Sequence, residues 1–400
     1  MEGQRSHHQN ALTSFEHALQ LDPLLVISWN GKGVALSMLQ RNQEALEAFE
    51  HALQLELKNA SSWNGKGAIL SALGHLDQAL VAFDMALRFD PRMAQAWNNK
   101  GLVLQKQERY REALSAFEQA LIHDNTIATS WSGKASMLHQ IGHLQGALDA
   151  YERACTCNPE MISAWNGKGS VLNDMGRYEQ AAQAFQEALR LDKNYAPAYF
   201  GLGNVYYAQQ KLKPALDMFD QAIRCDANYA KAWYRRGNVL DDLGQRVEAL
   251  NSFEQALRID PRYASAWNGK ANVLCQLERY TEALSAYDYA LNLNPNFAQA
   301  WNGKGNAFYR LGNYSQALAA YEHATKLNPK MASAWHNKSL VLKQMRHYEE
   351  ALASAEEAIR LAPNDPDNWQ RKVEALRQLR RRNDAHIAEA EVLRLRGAQK

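Results

Sequence analysis

No apolar run in the 400 residues approaches the roughly 20 needed to span a bilayer. The first ten residues, Met1 to Asn10, are polar and lack the apolar core of a signal peptide. Excess charge is also missing: the net charge is +2 with 22% charged residues, so the electrostatic footprint of a nucleic-acid binder is absent. A cytoplasmic protein follows, with neither nucleic acid nor membrane as partner. Cysteine is scarce, and Cys155, Cys157, Cys225 and Cys275 complete no zinc signature. The sequence has no phosphate loop between a strand and a helix, no nucleophile elbow and no metalloprotease helix motif. His139 and His143, four residues apart without a third ligand, read as surface histidines. No cofactor, metal or catalysis is expected.

What is abundant is repetition. Trp-Asn-Gly-Lys-Gly at Trp29 to Gly33 returns unchanged at Trp63, Trp165 and Trp301. All ten tryptophans fall on one register of 34 residues, and Tyr199 fills the one empty slot, giving eleven repeats without insertion. Such a period marks a solenoid, whose units bury their apolar faces only against their neighbours. With Trp counted as place 4, apolar or small residues recur at places 4, 8 and 11, then at 20, 21, 24, 27, 28 and 30. That pattern is two amphipathic helices joined by a turn. Place 20 is Ala in all eleven repeats and place 27 in ten, which lets helix axes approach closely. Pro91, Pro159, Pro261, Pro295, Pro329 and Pro363 follow the second helices, where proline stops one helix and opens the next. Three of the cysteines stand where other repeats carry Leu, Phe or Ile, and the cysteines read as small core fillers.

Trp, Gly four on, Ala twelve further, then Phe, Ala and Pro: this pattern resembles the tetratricopeptide repeat family over about nine-tenths of the chain. The fold implied is all-α, a right-handed solenoid of antiparallel helix pairs. Residues 1–22 read as an orphan second helix, 23–365 as the array, and 366–400 as a degenerate capping repeat in which Glu389 and Val392 replace the usual Phe and Ala. One departure stands out. Where the family has Leu at place 7, this chain has Lys or Arg in ten repeats, from Lys32 to Lys372, and only Leu202 keeps the family residue. Sixteen residues before each cation lies an acid at place 25 of the preceding second helix, while Gln186 precedes Leu202. An ion pair between repeats is therefore expected at most junctions.

The resemblance implies a concave groove lined by the first helices and read from places 2, 5, 6, 9, 12 and 13, with a protein or peptide as ligand. Place 5 is often Asn, and place 9 is Asn at Asn204, Asn238, Asn272 and Asn306. Asparagine offers a donor and an acceptor to the backbone of an extended peptide; the bland alternative is repeat copying of a tolerated polar residue. Gly at place 6, as in Gly65 and Gly269, costs about 1 kcal/mol against Ala and so implies close approach by a neighbouring helix or a ligand. The copied pattern is most broken near Tyr199 and Trp233. There Phe200, Asn204 and Tyr207 form one stripe, and Tyr234, Asn238 and Asp241 the same stripe one repeat later. With Lys231 and Arg235 beside two exposed aromatics, an acidic segment is the favoured ligand, and Tyr309 and Arg310 extend the site. The alternative is that the aromatics cover a packing defect where Trp became Tyr199 and the cation was lost at Leu202. A chaperone-type carboxylate clamp is disfavoured, because Asn166, Ser170 and Gly201 miss the family residues while only Lys231 and Arg235 match. The leading function is a non-enzymatic interaction scaffold. The alternative is the recruiting or regulatory arm of a larger enzyme of glycosyltransferase or kinase type, and self-association stays open.

Overall fold

The computed structural model describes residues 2–397, and among them are 23 helices and no strand. The first, α1 (Glu2–Leu21), pairs with nothing before it among the described residues. From α2 (Val26–Met38) and α3 (Asn42–Leu55) onward, helices of 13 and 14 residues alternate, closing with α22 (Pro366–Gln378) and the 16-residue α23 (Arg382–Gly397). The chain divides into two compact units inside α12 (Ala196–Ala208), between Val205 and Tyr206. Within each unit a helix packs on its sequence neighbours, and first helices also touch the first helices of adjacent repeats. In each unit the first helices therefore form one continuous face and the second helices another.

The turn inside each repeat has a repeated geometry. Place 15 takes positive φ throughout, at Gly74 (+84°) and Gly244 (+76°) but also at Gln40 (+61°) and Arg380 (+60°). Around it the Arg41 N–H donates to the Leu36 carbonyl and the Gln40 N–H to the Ser37 carbonyl, which satisfies carbonyls orphaned by the helix end.

Burial follows the repeat closely. The alanines at place 27, such as Ala52, Ala188 and Ala324, are wholly buried, as are Ala45 and Ala249 at place 20. Places 3 and 10, absent from the sequence pattern, are buried as well: Ser62, Ala96 and Ala266 at the first, Val103, Val171 and Val341 at the second. Place 30 is more exposed than its apolar residues imply, with Leu55 41% exposed. Cys157 at that place is likewise exposed, so it is no core filler, whereas Cys155 is buried and its thiol is pushed up to about 11 by burial.

The aromatic ring at place 24 explains the glycines. Phe253 is 1% exposed and lies between two of them: a Cβ on Gly237 would come 2.8 Å from its ring and a Cβ on Gly269 2.7 Å. Gly237 belongs to the repeat of Phe253 and Gly269 to the next, and the same holds for Phe49 between Gly33 and Gly65. The close approach at place 6 is thus made by a neighbouring ring and not by a ligand.

Candidate functional site

Ten of the eleven first helices are held by a Trp and by the cation three residues on, α12 with Tyr199 and Leu202 being the exception. All ten indole N–H groups donate to the carbonyl six residues earlier, at 2.8–3.0 Å, often that of the proline ending the previous repeat. All ten cations sit over their own Trp ring, 5.2–5.9 Å from its centroid. Each also reaches the acid sixteen residues back, at 2.6–3.2 Å. The expected ion-pair ladder is present at ten of the eleven junctions, the exception being that of Gln186 and Leu202. Replacing Trp301 by Phe removes the N–H···O bond to Pro295 while keeping an aromatic ring, and should cost about 1 kcal/mol in urea unfolding. A variant as stable as the parent would mean that the bond contributes nothing net.

The face of the first helices carries clefts at the places expected of a groove. In the first unit Ala68, Ser71, Asn99, Leu102, Gln105 and Lys106 line one of about 570 Å³. In the second unit, Gln276, Asn306, Tyr309, Arg310, Asn337 and Leu340 line one of about 490 Å³, with Tyr280, Tyr321 and Cys275 also bordering it. Places 12 and 13 of successive repeats are cross-linked along this face. The Tyr207 hydroxyl donates to Asp242 at 2.7 Å, Gln276 donates to Asp241 at 3.4 Å and Gln344 to Tyr309 at 3.3 Å.

Much of the asparagine array is used internally. Asn98, 2% exposed, accepts from Thr129 and Ser130, and Asn30 accepts from Ser62. Asn272 accepts from the Tyr287 hydroxyl at 2.6 Å, and Asn306 from Tyr321 at 2.8 Å and Asn337 at 3.0 Å. Since Asn272 and Asn306 are exposed while their oxygens are taken, each turns its NH₂ toward the groove as a donor. The side-chain oxygens of Asn166, Asn204 and Asn268 are shielded and without a partner.

The residues expected to form the site fall into separate groups. Phe200 and Asn204 belong to the first unit and the others to the second. Phe200 and Tyr234 are half-buried and not exposed. Tyr234, at place 5, packs on Phe253 (5.9 Å between ring centroids) and Tyr263 (5.0 Å). Arg235 lies over the Tyr207 ring at 5.9 Å, so half of this pair is occupied by stacking, while Lys231 stands exposed. Asn238 is half-buried, and the Asp241 carboxyl is pushed up by burial. Asn306, Tyr309 and Arg310 come together around the second-unit cleft. His139 bonds Asp174 at 2.7 Å and His143 caps a helix by accepting from the Gly146 N–H.

Several phenols are held neutral. Burial pushes Tyr151 and Tyr263 up to about 12, and burial followed by the bond to Asp242 does the same to Tyr207. In the unfolded chain a phenol ionises near pH 10. The preference of the fold for neutral phenols is therefore complete below about pH 10 and lost as pH rises through about 12. Thermal stability should stay level to about pH 9 and fall between 10 and 12; replacing Tyr263 by Phe should flatten part of that fall.

The repeats match known families. Models described as TPR repeat match residues 169–210 and 203–244, and models described as tetratricopeptide repeat match 94–126, 234–300, 271–332 and 302–366. These segments together cover more than half of the sequence. The chain belongs to the tetratricopeptide repeat family. The crystal structure of the APC/C hetero-tetramer Cut9-Hcn1 shares the fold: 14% identity, 93% of this chain and 94% of that chain covered, TM-score 0.57. YrrB, a TPR protein with an unusual peptide-binding site, is similar over 48% of this chain and 98% of its own, with 28% identity and a TM-score of 0.40. PilF of Pseudomonas aeruginosa is similar over 52% of this chain and 94% of its own, with 21% identity and a TM-score of 0.45. No curated protein matches the sequence. Among the described residues no helix of this tetratricopeptide array is long and apolar enough to cross a membrane.

Proposed function

We propose that this tetratricopeptide array is a non-catalytic interaction scaffold whose first-helix face binds an extended, acceptor-rich segment of a partner protein. The supporting observation is the second-unit cleft. Asn306 turns its NH₂ toward the groove, and the Arg310 guanidinium beside it is exposed and has no carboxylate within 4 Å among the described residues. Tyr309 accepts from Gln344 and keeps its own hydroxyl proton for a ligand. Donors in excess of acceptors suit backbone carbonyls and acidic side chains, and a guanidinium favours a carboxylate. On the second unit Tyr207, Lys231, Tyr234, Arg235, Asn238, Asp241 and Asn272 are further contacts of the same kind of segment, and on the first unit Phe200 and Asn204 are contacts of their own.

The test is affinity capture on the immobilised chain, followed by titration of a captured partner against Tyr309→Ala, Arg310→Ala. The double variant should bind at least tenfold more weakly, about 1.4 kcal/mol, with an unchanged melting temperature. Equal affinity would place the partner elsewhere.

A further inference from the structure

The tryptophans at place 4 meet two different environments on the second-helix face. In three repeats the residue at place 26 stacks its ring on the indole: His51 on Trp29 at 4.6 Å between centroids, Tyr289 on Trp267 at 4.6 Å and His323 on Trp301 at 4.5 Å. The interplanar angles are 28°, 18° and 18°. In two other repeats that place is Glu187 or Gln255, and each is turned instead to the arginine three residues on. Glu187 pairs with Arg190 at 2.8 Å, and Gln255 accepts from Arg258. A cleft then stands over the indole, about 410 Å³ at Trp165 and about 600 Å³ at Trp233. Glu187 borders the first and Gln255 the second, each at the place where the covered repeats carry a ring.

The electrostatics of these clefts select the occupant. Lys168 lies 5.5 Å from the Trp165 centroid and Arg236 5.8 Å from that of Trp233, so a cation on the indole face has already been supplied. Glu152 and Asp220 are spent on those same cations, at 3.1 Å and 2.7 Å. Each cleft is lined by both signs of charge, Lys168 and Arg177 with Glu152 and Glu187 at Trp165, Arg224 and Arg236 with Asp220 and Glu254 at Trp233, so a second cation or an anion meets like charge on one side whichever way it enters. A neutral ring avoids both conflicts. It stacks on the indole without bringing a charge of its own, and at Trp233 it also covers the half-buried Ile223.

We propose that the furrows over Trp165 and Trp233 are docking sites for an aromatic side chain of a protein partner, stacked on the indole as His51, Tyr289 and His323 stack within the chain. This surface is distinct from the groove of the first helices, and its test does not depend on groove binding. The probe is N-acetyl-tyrosinamide, titrated into the full, ¹⁵N-labelled chain while the indole N–H signals are followed. Trp165 and Trp233 should shift saturably, and Trp29, Trp267 and Trp301 should not. Gln255→Tyr, which supplies the missing ring, should abolish the response of Trp233 and leave that of Trp165. Tyr289→Ala, which removes a resident ring, should make Trp267 respond. Equal shifts at covered and open tryptophans, no saturable shift, or a stronger response to N-acetyl-argininamide would overturn the proposal. So would a response at Trp233 that persists in a folded Gln255→Tyr chain.

Discussion

Replacing Phe253 by Ala should destabilise its neighbourhood by about 3–5 kcal/mol, the range for removing a large core aromatic. The ring is 1% exposed and is the surface against which Gly237 and Gly269 were trimmed to hydrogen. Two helices from successive repeats therefore lose their common contact, and Tyr234, packed on the same ring, loses its support. Glycine leaves nothing to collapse into the space, so the cavity term should be near its full size. The loss should also stay local, because helices here touch only near neighbours in the array. Hydrogen exchange should accelerate over residues 230–293 while residues 332–397 keep their protection. A uniform rise over the second unit would mean that it unfolds as one block.

Trp165 shows why a sequence ranking of core residues by size misleads. Tryptophan marks the repeat most visibly, yet Trp165 is half-buried and borders an open cleft, whereas Phe185 at place 24 is 1% exposed. The helix pair, its phase and the ion ladder were legible because each depends on one place repeated many times. Places 3 and 10 were missed because their residues vary between Ser, Ala and Asn or between Ala, Val, Ile and Met, which hides a constant requirement for limited volume. Gly65 and Gly269 were read as marks of close approach, and the approaching group is Phe49 or Phe253, sixteen residues earlier in the previous repeat. The groove was less legible. Asn98 at place 5 and Asn306 at place 9 were both read as groove residues, but the first is buried in a bond to Ser130 and the second presents its NH₂ to a cleft. What each asparagine can still offer is set by a residue elsewhere, Ser130 at place 3 of the next repeat for Asn98 and Tyr321 at place 24 of its own repeat for Asn306, a relation that no single motif records.

Lys304 to Glu should cost about 2 kcal/mol, and adding Asp288 to Lys should return about half of it. Lys304 has three partners: Asp288 at 2.6 Å, and the rings of Trp301 and Phe308 at 5.2 and 5.7 Å. Its side chain is 18% exposed and that of Asp288 54%, so the pair is neither buried nor freely solvated. Two like charges about 4 Å apart repel by about 4 kcal/mol at an effective dielectric near 20. Rotation of the exposed Asp288 and solvent screening should remove about half of this, since exposed pairs couple weakly. Restoring opposite charges recovers the Coulomb part only. A cation at 288 no longer sits over the Trp301 and Phe308 faces, and a carboxylate at 304 meets them unfavourably. The deciding measurement is a double-mutant cycle in urea at two salt concentrations. A coupling energy of at least about 1 kcal/mol, the recovered half plus whatever Asp288→Lys costs alone, that shrinks with salt would assign the ladder to electrostatic pairing. Coupling near zero would mean that Lys304 acts through its rings alone, and the ten acids at place 25 would then owe their positions to something other than the cations they face.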